Sequence, residues 1–553
     1  MGSAASIPST VSDETREALN SLPNEAKKEL DELGMQALDM DILSEETRSV
    51  IDSLPTSVQL ELQSFAAPSR AKFPGIDDIQ KSTSVSCVEW VQRSFEVISD
   101  HDKEINCCIE ILKESALAQA QAADERLSAG GARRPLEGVP VIIKCNVDVA
   151  GTLSTAGTPA LADWRPDSTA PVAQKLIDAG AIVVAKTTMP EFAVGPLAWS
   201  KVHGLTVNCH NRNFTAGGSS TGTAQGIAAG YCCVGLGSDT EGSLRGPAEL
   251  AGIVALRPSR GRYPCEGVVP CDIGHDTVGP MACSVRDLAV LDAVISGEVD
   301  GSIQYNPAVL TDIVVAMPPD WCEGGSDGQI QALGLVSAAF EKQGARVKRE
   351  GTFADVHKSP KGMPPISYRE EGLHNYCMKH EGFLTKTADE ILEGCFYPEV
   401  RGFFKNPVHR GGPQINMLHK AGTDEYNQLQ EDYNKAIEEW EQIYCNFFES
   451  LGAEVLLTPC LSGLPEQVDM TVPAEEQYAD FSKTVASLIS CYRPLFGLNA
   501  LRVPTLAMPT KARSSVVGAS GPALPAGVLL WAKPGQDRRL IEIAMALELA
   551  MHD

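Results

Sequence analysis

The chain has 553 residues, 43% hydrophobic and 21% charged, the balance of a globular protein long enough to bury a sizeable core. Its 48 glycines and 35 prolines stay well below the ~25–30% share that marks low-complexity chains. With 72 Asp/Glu against 46 Lys/Arg the net charge is −26, which excludes nucleic-acid backbones and anionic membrane surfaces as electrostatic partners and otherwise reads as solubility.

The N-terminus has no apolar signal core, and no apolar run approaches the ~18 residues of a membrane span, so a cytoplasmic protein is expected. Met1-Gly2-Ser3-Ala4-Ala5-Ser6 fits the loose N-myristoylation pattern and is read as a chance match or an expression scar. Residues 1–65 carry an internal repeat. Ser12-Asp13-Glu14-Thr15-Arg16 returns 32 residues later as Ser44-Glu45-Glu46-Thr47-Arg48, and Ser21-Leu22-Pro23 returns as Ser53-Leu54-Pro55. Each copy reads as two short helices, with Ser12 or Ser44 as N-cap and a proline restarting the chain after a break. Two copies make a small helical bundle. It suits an accessory domain on the main body, a module for homodimerisation or partner docking, or a mobile appendage. Residues 66–84, with Pro68, Pro74, Gly75 and a Ser/Thr cluster, read as a linker.

From 85 to 553 the rhythm is α/β. Helical periodicity fits 86–127. Val139-Pro140-Val141-Ile142-Ile143 and Ala181-Ile182-Val183-Val184-Ala185 read as buried strands, with a helix over 170–179 between them. A small-residue helix over 219–230 leads to a strand at Val234–Leu236. A long amphipathic helix over 424–451 precedes the strand Glu454-Val455-Leu456-Leu457. Alternating helices and buried strands predict a large sheet covered on both faces. The less regular stretch 300–420 is expected to build the substrate-facing side. The sixteen scattered cysteines form no C-x-x-C pair and read as reduced, mostly buried thiols rather than disulfides or metal ligands.

Chemistry concentrates between Thr215 and Arg262. Gly217-Gly218-Ser219-Ser220-Thr221-Gly222-Thr223 is a Gly/Ser/Thr loop opening a helix, where backbones approach closely and free N–H groups face an anion. Gly237-Ser238-Asp239-Thr240-Glu241-Gly242-Ser243-Leu244-Arg245 sets a serine after a tight turn, whose N–H groups suit an oxyanion. The first loop lacks the lysine of a phosphate-binding P-loop. It does match G-x-S-x-G, which would make Ser220 a hydrolase nucleophile, but none of the downstream histidines stands in a telling context.

These segments resemble the amidase signature family of serine hydrolases. Flanking pieces occur in family order: Gly138-Val139-Pro140-Val141-Ile142-Ile143-Lys144-Cys145-Asn146, Ala185-Lys186-Thr187-Thr188-Met189-Pro190-Glu191-Phe192, Asp276-Thr277-Val278-Gly279-Pro280-Met281 and Pro525-Ala526-Gly527-Val528-Leu529-Leu530. The resemblance spans roughly 85–553 and leaves the repeat outside. It implies a large mixed central sheet with helices on both faces, behind a small all-helical N-terminal domain. It also implies a Ser–Ser–Lys triad: Ser243 as nucleophile, Ser219 as the bridging serine after a cis peptide bond, Lys144 as base. Backbone N–H groups of Thr240, Glu241 and Gly242 would form the oxyanion hole, with Gly218, Ser220, Asp239 and Arg245 positioning the site. Elementary chemistry agrees, because a serine needs a base and a lysine serves only when burial lowers its pKa.

Three positions depart from the family pattern. Glu241 replaces a glycine before Gly242-Ser243. It tolerates a positive φ poorly, and its carboxylate would oppose an oxyanion or else receive a cationic substrate group. Cys145 replaces an aspartate after Lys144. Arg257 stands where the family has lysine. The resemblance implies a cofactor-free amide hydrolase with no metal. The same acyl-enzyme would also serve a biosynthetic acyltransferase, amidotransferase or cyclising enzyme, and a scaffold docking a partner through residues 1–65 is the remote alternative. Pocket walls are expected from 300–420 and 460–490, where Tyr368, Tyr376, Phe403 and Phe404 read mainly as core.

Overall fold

Short runs of branched and small residues, each closed by turn residues, become strands of one sheet. The computed structural model describes residues 72–553 apart from 298–304, 323–324, 355, 410–411, 464, 496–497, 515–521 and 553, together with scattered positions between 17 and 58. Eleven strands follow in chain order: β1 (Cys108–Ile111), β2 (Pro140–Lys144), β3 (Ile182–Thr187), β4 (Val234–Asp239), β5 (Val254–Arg257), β6 (Thr277–Ala282), β7 (Val314–Ala316), β8 (Arg346–Lys348), β9 (Val455–Pro459), β10 (Thr505–Ser514) and β11 (Leu524–Trp531). Their order across the sheet is β1-β3-β2-β4-β6-β5-β10-β11-β9-β7-β8. The sheet is mixed. β2 runs parallel to β3 and β4, β7 runs parallel to β8 and β9, and the remaining neighbours are antiparallel.

Alternation along the central strands fills two cores. Val141 and Ile143 of β2 join Val183, Leu236 and Leu530 under the helices Val285–Ser296 and Asp537–His552. Ile142, between them, points to the other face with Val184, Met281 and Leu529, under Cys87–Ile105 and Asp424–Leu451. A strand apolar on both faces cannot sit at a solvent edge, which is why β2 and β4 run through the middle. A third cluster, outside the sheet, gathers Phe192, Leu373, Tyr376 and Phe404.

Two expectations need correction. The helical stretch 86–127 is two helices, Cys87–Ile105 and Lys113–Ser128, separated by β1. The first ends where Asn106 turns left-handed (φ 59°) and the Asp102 carboxylate accepts the Cys107 and Cys108 N–H groups. The linker is shorter than 66–84. Residues 76–81 form a helix, and Phe73, Ile76 and Ile79 are buried in the main core. The Ile76 N–H donates to Asp287 at 2.8 Å.

The repeat is partly described. Leu19, Leu22, Ala26, Ile51 and Val58 form a small core with Ala18, Val50 and Leu54 around it. These are matched positions of the two copies, 32 residues apart. Ser21 Oγ caps the Ala18 carbonyl at 2.6 Å, and Ser53 Oγ caps that of Val50 at 2.6 Å. Gly2, Ser12 and Ser44 lie outside the described residues. Among the described residues no helix is long and apolar enough to cross a membrane, and the cysteines are all free thiols.

Candidate active site

Lys144 ends β2 inside the sheet, and the apolar run before it carries the amine out of water. Its side chain has no solvent exposure. Nζ donates to Ser219 Oγ at 2.7 Å and to Ser238 Oγ at 2.9 Å. Burial disfavours the ammonium and pulls its pKa from the usual 10.5 down to about 7, although Cys145 and Asp239 nearby work the other way. Asn146 Nδ2 also donates to Ser238 Oγ, at 3.1 Å. Ser238 and Asn146 stand within the motifs, but no spacing signal marks them as partners of the lysine. They meet it because β2 and β4 are parallel neighbours.

Ser219 and Ser220 lead into the helix Thr221–Ala228, and the Gly218–Ser219 peptide bond is cis. A Cβ at Gly218 would collide with the Leu197 carbonyl, so only glycine fits beside that strap. The Gly218 N–H donates to the Tyr492 hydroxyl at 3.2 Å, a contact 274 residues distant that no local motif announces. Ser220 is fully buried, and its Oγ is clamped between the N–H and carbonyl of Ser238. Those bonds make Ser220 a brace, against the nucleophile-elbow reading. The Ser220 N–H donates to the Ser243 carbonyl at 3.1 Å and seats the two serine turns against each other.

The turn before Ser243 is organised by one carboxylate. Asp239 Oδ1 accepts the Gly242 N–H at 2.8 Å, and Oδ2 accepts the Leu244 N–H at 3.1 Å. Arg245 grips both oxygens, through Nε at 3.0 Å and Nη2 at 3.1 Å, and Arg257 Nη1 lies 3.1 Å from Oδ1. Burial alone would raise this carboxyl. The Arg245 and Arg257 guanidiniums win and hold it well below the usual carboxylate range. Arg257 also donates to the carbonyls of Asp239, His275 and Asn499, which a lysine head could not span at once.

The departures resolve locally. The positive φ falls on Gly242 (103°), and Glu241 is not among the left-handed residues, so the carboxylate imposes no such backbone cost. Of the three N–H groups expected for the oxyanion hole, that of Gly242 is already engaged by Asp239 Oδ1. Thr240 is anchored through its Oγ1, which donates to Asp276 at 2.5 Å. Burial lifts the Asp276 carboxyl to about 6. Cys145 is fully buried and accepts from Thr155 Oγ1 at 3.5 Å, and burial pushes its thiol up.

Beside this turn lies a cleft of about 220 Å³. Glu241 and His275 meet Met363, Pro364, Ile366 and Trp440 there. The 300–420 stretch supplies one wall of this cleft. Among the described residues, the other wall comes from the helix Asp424–Leu451 and from 499–500 rather than from 460–490. Tyr368, Tyr376 and Phe404 are buried core, and Phe403 lies under the Arg369 guanidinium at 4.0 Å. Tyr376 donates to the Asp148 carboxylate at 3.0 Å.

Comparison with known proteins gives the chain's family and fold. The family described as Amidase matches residues 89–541. Mandelamide hydrolase of Pseudomonas putida is 30% identical over 85% of this chain and 88% of its own length. A glutamyl-tRNA(Gln) amidotransferase subunit of Deinococcus deserti is 46% identical over 79% of this chain and 88% of its own. Among solved structures, the peptide amidase of Stenotrophomonas maltophilia superposes with a TM-score of 0.68 at 21% identity, over 86% of this chain and 97% of its own. A fatty acid amide hydrolase reaches the same TM-score at 17% identity and covers 98% of this chain and 95% of its own.

Proposed function

The chain belongs to the Amidase family, and from that premise we propose that it hydrolyses a small carboxamide through an acyl-enzyme on Ser243. The observation that carries this is the Lys144 amine, sealed from solvent, 2.7 Å from Ser219 Oγ, with its pKa brought to about 7. As the free amine, Nζ has a lone pair to take the Ser219 proton while Ser219 takes that of Ser243. Ser243 Oγ then bonds to the amide carbon. The oxyanion faces the turn Thr240–Gly242, which Asp239, Arg245 and Ser220 hold in shape. The relay runs back, Lys144 through Ser219 protonates the leaving nitrogen, and the C–N bond breaks. Water repeats the sequence on the ester and frees the acid.

A fluorophosphonate probe tests the assignment. The adduct is expected on Ser243 and should be lost in Ser243→Ala and Lys144→Ala, with hydrolysis of a simple carboxamide falling by ~10³-fold or more. An adduct on Ser220 would sink the reading. A second reading rests on the relatives named as amidotransferase subunits: the ammonia released as the acyl-enzyme forms, or the acyl group itself, would pass to another acceptor. Release of ammonia and free acid by the isolated chain favours hydrolysis. Turnover only with added partner subunits favours transfer.

A further inference from the structure

Among the described residues Lys144 Nζ has two hydrogen-bond partners, and both are hydroxyls. Ser219 belongs to the relay. Ser238, buried on β4, has no place in it, yet its Oγ lies 2.9 Å from the amine. The same Oγ accepts from Asn146 Nδ2 at 3.1 Å. That amide is oriented by the Val269 carbonyl, which accepts from Nδ2 at 3.3 Å, and the reversed amide would set oxygen against oxygen. A hydroxyl has two lone pairs and one proton. With one lone pair held by Asn146, Ser238 meets the amine either as acceptor or as donor. It also borders a cavity of about 50 Å³, with room for a water, that Thr240 and Asp276 line as well. This polar space gives its proton somewhere to turn and leaves the second lone pair for Lys144.

The ionisable groups around the amine come from three segments. Cys145 follows it in the turn, Asp239 closes β4, and Cys271 and Asp276 precede β6. Asp239 is paired with Arg245 and Arg257. Asp276 accepts from Thr240 Oγ1 and from the N–H groups of Cys271 and Asp272. A carboxylate bonded to Nζ would hold the lysine as an ammonium, whereas a hydroxyl serves the free amine and the ammonium alike. With Ser243 as nucleophile and Lys144 as base, we propose that Ser238 is the positioning residue for that base: it draws one N–H of the free amine, so that the lone pair faces Ser219, and then accepts from the ammonium. Protons balance in this step. One passes from Ser243 to Ser219 and one from Ser219 to Nζ, Ser219 ends as the hydroxyl it began as, and Ser238 keeps its own proton throughout.

The test follows the rate at which a fluorophosphonate labels Ser243 as pH is varied, which requires no knowledge of the substrate. Wild type should label faster as pH rises through about 7. Ser238→Ala leaves the ammonium one acceptor short, so the midpoint should fall by about one pH unit or more and the plateau by about tenfold. Ser238→Thr keeps the hydroxyl and should return the midpoint to the wild-type value. Melting curves show whether each variant is folded. Should the alanine variant fail to fold, Ser238→Cys, similar in shape and a weaker acceptor, takes its place, with a smaller fall in the same direction. A residue that merely packs would lower the plateau and leave the midpoint alone. An unmoved or raised midpoint in the folded alanine or cysteine variant therefore overturns the proposal while leaving Lys144 as the base. Failure of wild type to label at Ser243, or undiminished labelling in Lys144→Ala, would instead remove the reading beneath it.

Discussion

A lysine sealed from water is an expensive residue, and its protonation state decides what it can do. With its pKa near 7, Lys144 is largely charged at pH 6 and largely a free amine at pH 8. Activity should therefore rise with pH through about 7 and level off above it, as a kcat/KM profile would show. Lys186 supplies the control. It is equally buried and held down to about 8, but its amine donates to the Val147 carbonyl and to Ser154, not to a site serine. Lys186→Met should leave the activity limb where it is, and a limb that disappears with Lys186 would reassign the base. Stability gives the second sign. The folded-state pKa of Lys144 is depressed below the unfolded value of 10.5, so between about 7 and 10.5 the unfolded chain binds the extra proton. The destabilisation is fully present below about 7 and fades as pH rises to 10.5. Lys144→Met should abolish activity yet raise the melting temperature at pH 7, with the gain shrinking at pH 10. The lysine itself is legible in the sequence, because it follows an apolar run in a recognisable motif. Ser238 is not legible as its second acceptor, since only the parallel pairing of β2 and β4 brings the two together.

Between β4 and the helix Arg245–Ala251 the chain makes one turn that must hold still, and buried charge does the holding. Asp239, Arg245 and Arg257 are essentially without solvent contact. Such a cluster adds little net stability over an apolar one, but removing one member strands the others. Asp239→Asn should lower unfolding stability by about 3–5 kcal/mol and leave an enzyme that reacts poorly with the probe, measured by denaturant titration and adduct mass. Arg257→Lys keeps the charge and loses the fork. It should cost less, about 1–3 kcal/mol, because carbonyls of His275 and Asn499 go unpaired. If the two variants destabilise equally, hydrogen-bond geometry organises the turn as much as charge does. The local half of this element can be read from Gly237 to Arg245, where residues that touch are neighbours in sequence. Its other half cannot. Asn499 accepts from Arg245 across 254 residues of chain, and no periodicity encodes that contact. Glu241 lies between the two cases. The sequence marks it as a departure, but only the fold shows the positive φ passing to Gly242 and Glu241 lining a cleft.

At the scale of the molecule the question is where the catalytic body begins. Composition and proline spacing put the boundary at 85, because a Ser/Thr cluster and two prolines look like a linker. Burial puts it earlier. Phe73, Ile76 and Ile79 fill the same core as β2 and the helix Val285–Ser296, and the Ile76 N–H is tied to Asp287. Among its described residues, the repeat builds a small core of its own: Leu19 with Ile51, Leu22 with Leu54 and Ala26 with Val58 are the same positions of two copies. A core assembled from its own duplicate does not need the sheet to form. Removal of residues 1–65 should therefore leave the melting temperature and the probe reactivity of Ser243 close to those of the full chain. Removal of residues 1–82 exposes Trp90 and the faces that Ile76 and Ile79 covered. Each buried isoleucine contributes about 1.5–3 kcal/mol, so that shorter chain should melt several degrees lower. Equal melting of the two truncations would mean the helix at 76–81 merely lies on the body. A loss of activity already at residue 65 would tie the repeat to catalysis, through a docked partner or a second copy of the chain.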